Sequence, residues 1–195
     1  MTEKLLILDL DETLLFATTE RLPRPADFVV GNYCVYRRPG LDAFLKFVFE
    51  HFRAAVWTSS TLPYAREIVR QILPEQTTLE FLWGRERCTQ RVDLESREPY
   101  WVKDLKKVKK LGYNLDTVIM VDDSPEKLER NYGNHVIVQP FQGETKDDEL
   151  MFLSRYLLQL KESHNVRAVE KRSWRQRMAG NLLRNSQSNG LELEP

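Results

Sequence analysis

Residues 6–15 read "LILDLDETLL", an aliphatic run that ends in three carboxylates, Asp9, Asp11 and Glu12, within four positions. The run begins at Leu5 and shows no polar alternation, the pattern of a strand buried on both faces. Like charges crowded at the end of a buried strand repel, and burying them without partners is costly. The cluster is either a solvated acidic turn or a place built for something positive. The pattern recurs in "DTVIMVDDSPEKL", residues 116–128, where a second aliphatic run ends in Asp122 and Asp123. That recurrence favours the second reading.

The chain of 195 residues is long enough for one ordinary domain with a real core. Its 42% hydrophobic and 30% charged residues describe a globular protein, not a fibrous or disordered one. Lys plus Arg and Asp plus Glu both total 29, so overall charge argues for neither nucleic-acid nor membrane binding. The charge is divided, since residues 166–195 carry six Arg/Lys against three Glu. Cys34 and Cys88 are far apart and have no metal-like spacing, which suits a reducing compartment. No apolar run approaches the ~20 residues of a membrane span, and "LLIL" is too short for a secretory signal. The expected location is intracellular, cytoplasmic or nuclear.

Further along, "FVVGNYCVY" (28–36) predicts a hairpin turning at Gly31-Asn32, within an otherwise loop-like stretch over 16–38. "RPGLDAFLKFVFEHF" (38–52) has Leu41, Phe44, Leu45, Val48, Phe49 and Phe52 at helical spacing. "RAAVWTSS" (53–60) reads as a short buried strand ending in hydroxyl residues, and "LPYAREIVRQIL" (62–73) as a helix with Pro63 in its first turn. Residues 75–100 suggest a small strand-rich insertion, "YWVKDLKKVKKLGY" (100–113) a helix stopped at Gly112, "HVIVQPF" (135–141) a strand, and residues 147–162 an amphipathic closing helix. Strands and helices in alternation predict an α/β fold: a doubly wound, mostly parallel sheet with helices on both faces. In such sheets ligands bind at the carboxyl ends of the strands. Asp9, Asp11, Thr58, Ser59, Asp122 and Asp123 should therefore converge, and an oxygen-rich acidic cluster suits Mg²⁺.

The set "DLDET" (9–13), "WTSS" (57–60), Lys103 in "YWVKDL" and "VDDSP" (121–125) resembles the four-motif signature of the haloacid dehalogenase (HAD) superfamily. Within it, "LDLDETL" and "VIMVDDSP" are similar to the FCP/SCP-type (NIF-like) phosphatases of the RNA polymerase II C-terminal domain (CTD). The resemblance covers roughly residues 4–162. It implies a phosphatase domain over 1–165, cap-less apart from the insertion near 75–100, followed by a basic, partly flexible segment over 166–195.

The resemblance also assigns roles. Asp9 is the nucleophile, Asp11 the general acid and base, and Lys103 neutralises charge on Asp9 and on the phosphoryl group. Mg²⁺ is held by Asp9, the main-chain carbonyl of Asp11, and Asp123, with Asp122 and Thr13 supporting the ligands from behind. Thr58 and Ser59 bind phosphate oxygens, although "TSS" ahead of a helix also fits an ordinary N-cap. Arg85 in "LWGRERC" (82–88) resembles an insertion arginine that contacts substrate, with Arg87 and Arg91 as neighbouring alternatives.

The expected activity is Mg²⁺-dependent hydrolysis of phosphoserine or phosphothreonine in a protein or peptide, since the small insertion leaves the site open. Two other classes remain in play: a weakly catalytic peptide-binding module, and a nucleic-acid-end or small-molecule phosphatase. The net acidic catalytic region argues against nucleic acid. "EKRSWRQRM" (170–178) reads as a solvated helix or docking element. Cys88 lacks the glycine-rich phosphate loop of a cysteine phosphatase, and His51, His135 and His164 are scattered, so structural roles are expected for all four.

Overall fold

The structure is a computed structural model that describes residues 3–74 and 76–180. Along the chain its strands are β1 (Leu5–Leu8), β2 (Leu15–Thr18), β3 (Phe28–Val30), β4 (Tyr33–Arg37), β5 (Arg53–Trp57), β6 (Leu82–Trp83), β7 (Thr89–Val92), β8 (Pro99–Val102), β9 (Val118–Asp122) and β10 (His135–Ile137). The helices are α1 (Leu41–His51), α2 (Leu62–Ile72), α3 (Lys106–Lys109) and α4 (Glu149–Glu162).

Five strands form one wholly parallel sheet in the order β10-β9-β1-β5-β6. The continuous aliphatic runs make sense once their faces are separated. Leu6 and Leu8 of β1, Ala54 and Val56 of β5, and Ile119 and Val121 of β9 join the larger core with α1, α2 and α4. Their alternates Leu5, Ile7, Ala55, Trp57, Val118 and Met120 join a second core with Trp83, Leu105, Val108 and Leu128. Successive side chains leave opposite faces of a strand, so both alternates must be apolar when both faces are covered. The expected α/β architecture is present. Its first face is covered by three long helices, and its second by one-turn elements and aromatic side chains.

Two local expectations differ. Residues 16–18, assigned to a loop, belong to β2, which pairs with β4 from Leu15↔Arg37 to Thr18↔Cys34 and makes a three-stranded sheet with β3. The hairpin itself turns where expected, with Gly31 at φ 60°. The helix expected over 100–112 is mostly absent. Tyr100, Trp101 and Val102 are aromatic or β-branched and pair antiparallel with β7, leaving one helical turn, α3. Lys103 consequently follows a strand, and its amide donates to the Lys127 carbonyl at 2.7 Å.

The chain continues to pack beyond residue 165. Val166, Trp174 and Met178 are buried in the larger core, and Trp174 stacks on Tyr156 with ring centroids 5.3 Å apart. Its indole Nε1 donates to the Ile137 carbonyl at 2.6 Å. Truncating such an aromatic side chain costs about 3–5 kcal/mol. Of the partly flexible segment expected over 166–195, residues 181–195 lie outside the described residues. Among the described residues, no helix is long and apolar enough to cross a membrane.

Candidate active site

Register brings the acids together. Leu8 of β1 pairs with Val56 on one side and Val121 on the other. The next residues, Asp9, Trp57 and Asp122, are therefore level at the carboxyl edge, and the Asp9 amide donates to the Val121 carbonyl at 3.0 Å. Asp9 and Asp122 share the parity of Ile7 and Met120, so their side chains leave on the second face. Lys103 arrives from that face beside Leu105. Its Nζ lies 2.9 Å from Asp9 Oδ1 and 2.6 Å from Asp122 Oδ2, with all three side chains buried.

The loop after β1 turns sharply: Glu12 adopts φ 60° and its carbonyl accepts from the Phe141 amide at 2.7 Å. Such a conformation in a non-glycine residue persists where its surroundings impose it. Arg38, itself buried, anchors the loop by donating to the Thr13 carbonyl at 2.9 Å while gripping Asp147 through two bonds of 2.9 and 2.8 Å. The loop thereby presents Asp11 to α2. Ser60 Oγ donates to Asp11 Oδ2 at 2.8 Å, and the Tyr64 hydroxyl donates to Oδ1 at 2.6 Å.

Thr58 is buried behind these groups, and its Oγ1 accepts from the Ser60 amide at 3.0 Å. The N-cap of α2 is Thr61, so Thr58 is not the cap that its sequence context also allowed. Ser59 is half-buried beside it. Arg85 is exposed on a short turn after β6, where its Nε donates to the Ser59 carbonyl at 2.6 Å and its guanidinium lies 5.3 Å from the Trp101 ring. Asp123 accepts from Thr13 Oγ1 at 3.3 Å and from Ser124 Oγ at 2.9 Å. Asp9, Asp11, Thr13, Thr58, Ser59, Arg85, Lys103, Asp122 and Asp123 are thus all at this edge or its rim.

Two neighbours, Tyr64 and Lys127, escaped the sequence reading. Ser60 and Tyr64 hold Asp11, and Lys127 enters the carboxylate cluster, 3.1 Å from Asp9 Oδ2. The available signal for Lys127 was its spacing: four residues after Asp123 is little more than one turn of a tight helix, so the chain can return it to the site.

The charges explain the titration. Burial works against ionisation of Asp9, but the ammonium groups of Lys103 and Lys127 outweigh it and hold the carboxyl well below its ordinary range. Asp122 moves the other way, pushed up by burial and then by the negative charge of Asp9. Asp11 is raised by burial; the Tyr64 hydrogen bond opposes that and the charge of Asp9 adds to it. Burial also pushes the Cys88 thiol up, which removes the thiolate a cysteine phosphatase would need. His135 is buried with Nε2 3.0 Å from the Asp122 carbonyl, a structural position.

Oxygens of Asp9, Asp122 and Asp123 come within 4.8 Å of one another, and all three residues are buried. Asp9 Oδ1 is buried with no well-aligned hydrogen bond among the described residues, despite its ion pair with Lys103. An all-oxygen, triply acidic donor set with a spare buried oxygen fits a hard divalent cation such as Mg²⁺. Asp122 is the least available of the three, since Lys103 takes Oδ2 and the Ser124 amide donates to Oδ1 at 3.0 Å.

Comparison with known proteins agrees with this architecture. A protein of Dictyostelium discoideum named probable C-terminal domain small phosphatase is 30% identical over 85% of this chain and 53% of its own length. CTD nuclear envelope phosphatase 1 of Xenopus tropicalis is 27% identical over 89% of this chain and 73% of its own. The chain spans about half the length of the first curated relatives it matches. The solved structure of Fcp1, described as an essential RNA polymerase II CTD phosphatase, superposes with a TM-score of 0.55 at 21% identity, over 99% of this chain and 55% of Fcp1. Residues 4–167 match the family of NLI interacting factor-like phosphatases. With most of the chain so matched, and with the parallel sheet and acidic edge already described, the protein belongs to the NLI interacting factor-like phosphatase family.

Proposed function

We propose that this chain is a Mg²⁺-dependent phosphoprotein phosphatase that works through an aspartyl-phosphate at Asp9. The observation that carries the reading is the pairing of a buried acid, Asp9, with a half-buried one, Asp11, in opposite electrostatic surroundings. Asp9 is held ionised by two ammonium groups, and Asp11, two residues on, is raised by burial. Neighbouring carboxyls pushed apart in this way divide nucleophile from acid.

In the first step an oxygen of Asp9 attacks phosphorus and the bond to the seryl or threonyl oxygen breaks, with Asp11 giving its proton to the departing oxygen. In the second, Asp11 takes a proton from water as that water attacks phosphorus, and the Asp9 carboxylate leaves with phosphate released. Lys103 keeps the site's negative charge from opposing phosphate approach. The Thr58 oxygen already accepts from the Ser60 amide, so its proton is free to be donated to a phosphate oxygen. Ser59 adds a neighbouring hydroxyl and backbone. A Mg²⁺ ion held by Asp9, the Asp11 carbonyl and Asp123 would shield the phosphoryl group from the nucleophile, with Asp122 and Thr13 steadying the ligands.

The substrate reading rests on access. The insertion is a two-stranded ribbon, β7–β8, and Arg85 with Trp101 lies at the rim, suited to a peptide flanking the phosphate. The names of the relatives, which include CTD phosphatases, point the same way and to an intracellular setting, cytoplasmic or nuclear. Hydrolysis of a phosphoserine peptide by wild type and Asp9→Asn, each with Mg²⁺ and with EDTA, tests the proposal. Turnover requiring both Asp9 and the metal supports it. Turnover that survives Asp9→Asn overturns it, and faster hydrolysis of free phosphometabolites overturns its substrate half.

A further inference from the structure

Lys127 has no role in the chemistry above, yet it sits in the middle of the acids. Its Nζ is 3.1 Å from Asp9 Oδ2, 3.4 Å from Asp122 Oδ1 and 3.5 Å from Asp123 Oδ1. A point that close to an oxygen of each carboxylate lies in the space that a cation shared by them would fill, since Mg²⁺–oxygen distances are about 2.0–2.1 Å. An ammonium and a divalent ion within a few ångströms repel strongly at any dielectric suited to a buried site. The two positions are mutually exclusive.

Lys103 differs in each respect. It touches Asp9 and Asp122 but not Asp123, its side chain is 0% exposed, and it approaches from the core of the second face. The Lys127 side chain is 17% exposed and rises from a single tight turn, Pro125–Leu128. Four rotatable bonds and a solvent-facing side give it a way out that Lys103 lacks.

We propose that the Lys127 ammonium is a built-in counter-cation: it occupies the metal position while no divalent ion is bound, and swings out when one enters. Lys127 then sets the affinity of the site for metal and keeps three buried carboxylates together without it. The inference rests on reading these carboxylates as a Mg²⁺ site.

Calorimetric titration with MgCl₂ of wild type and Lys127→Met, with Asp123→Asn as control, tests it together with thermal unfolding in EDTA and in Mg²⁺. The variant should bind Mg²⁺ about tenfold or more tightly than wild type. It should also unfold at lower temperature in EDTA and recover more of its stability on adding Mg²⁺. Equal or weaker binding by Lys127→Met, while wild type binds and Asp123→Asn does not, overturns the role of Lys127 and leaves the metal site standing. Absence of binding to wild type and Lys127→Met alike overturns both. Should the variant not fold, wild type alone decides: acylation of lysines read by mass spectrometry should rise at Lys127 on adding Mg²⁺ while Lys103 stays protected. Unchanged labelling of Lys127 overturns the proposal.

Discussion

The Tyr64 hydroxyl donates to Asp11 Oδ1 at 2.6 Å, while Ser60 occupies the other oxygen of the same carboxylate at 2.8 Å. A donor on a carboxylate stabilises its ionised form, so Tyr64 works against the burial that raises Asp11. Tyr64→Phe removes that opposition and the Asp11 pKa rises further. Asp11 must carry its proton in the first step, so the alkaline limb of kcat/KM should move to higher pH. A hydrogen bond to a charged group is worth about 1.5–3 kcal/mol, equivalent to roughly one to two pH units. A limb that stays in place or moves to lower pH would show that Asp11 does not govern it.

Lys103 bridges Asp9 and Asp122 with no solvent exposure, so removing its charge leaves two buried carboxylates short of a partner. Lys103→Met should lose about 3–5 kcal/mol of stability in urea unfolding, together with at least about 10²-fold in turnover. Adding Asp122→Asn removes one of the stranded charges and should restore part of the stability without restoring turnover. A single variant as stable as wild type would mean that the bridge contributes nothing net.

His135 offers a stability test in acid. Burial holds its pKa down to about 4 against an ordinary 6.5. The unfolded chain therefore takes up a proton below about 6.5 that the folded chain refuses until about 4, and the state binding more protons gains as pH falls. Stability is fully present above the ordinary value and is lost through the window between the two, by about 3 kcal/mol at most. The depressed Asp9 has the same sign but acts below the ordinary carboxylate range. Asp122, pushed up to about 7, acts inside the window with the opposite sign, so the histidine is isolated by the difference between wild type and a variant lacking it. Urea unfolding in EDTA at about pH 7, 6 and 5 should show the stability of wild type falling relative to that of His135→Gln as pH drops. Equal slopes would contradict the assignment.

The parallel sheet was legible because both alternates of each central strand are apolar, and the site because two such strands end in acids. The register of β1 on β9 then levels Asp9 with Asp122, and parity sends both side chains to the second face. The rest depended on tertiary contacts that local pattern does not carry. Lys127 lies in "SPEKLER", which reads as solvated surface, and only the tight turn after Asp123 returns it to the carboxylates. Tyr64 lies on an amphipathic helix and resembles any half-buried aromatic until the loop after β1 brings Asp11 to its hydroxyl. β8 was hidden because "YWVKDLKKVKKL" also has helical spacing, and pairing with β7 overrode it.

The proposed mechanism requires a covalent bond between Asp9 and phosphate. A phosphoserine peptide turned over by wild type with Mg²⁺, quenched during turnover and reduced with borohydride, tests it most directly, because reduction of an aspartyl-phosphate leaves homoserine. Peptide mass spectrometry should find homoserine at position 9, at no other aspartate, and not at all in Asp9→Asn. Sustained hydrolysis with unmodified Asp9, or with the adduct at Asp11, Asp122 or Asp123, would contradict the account.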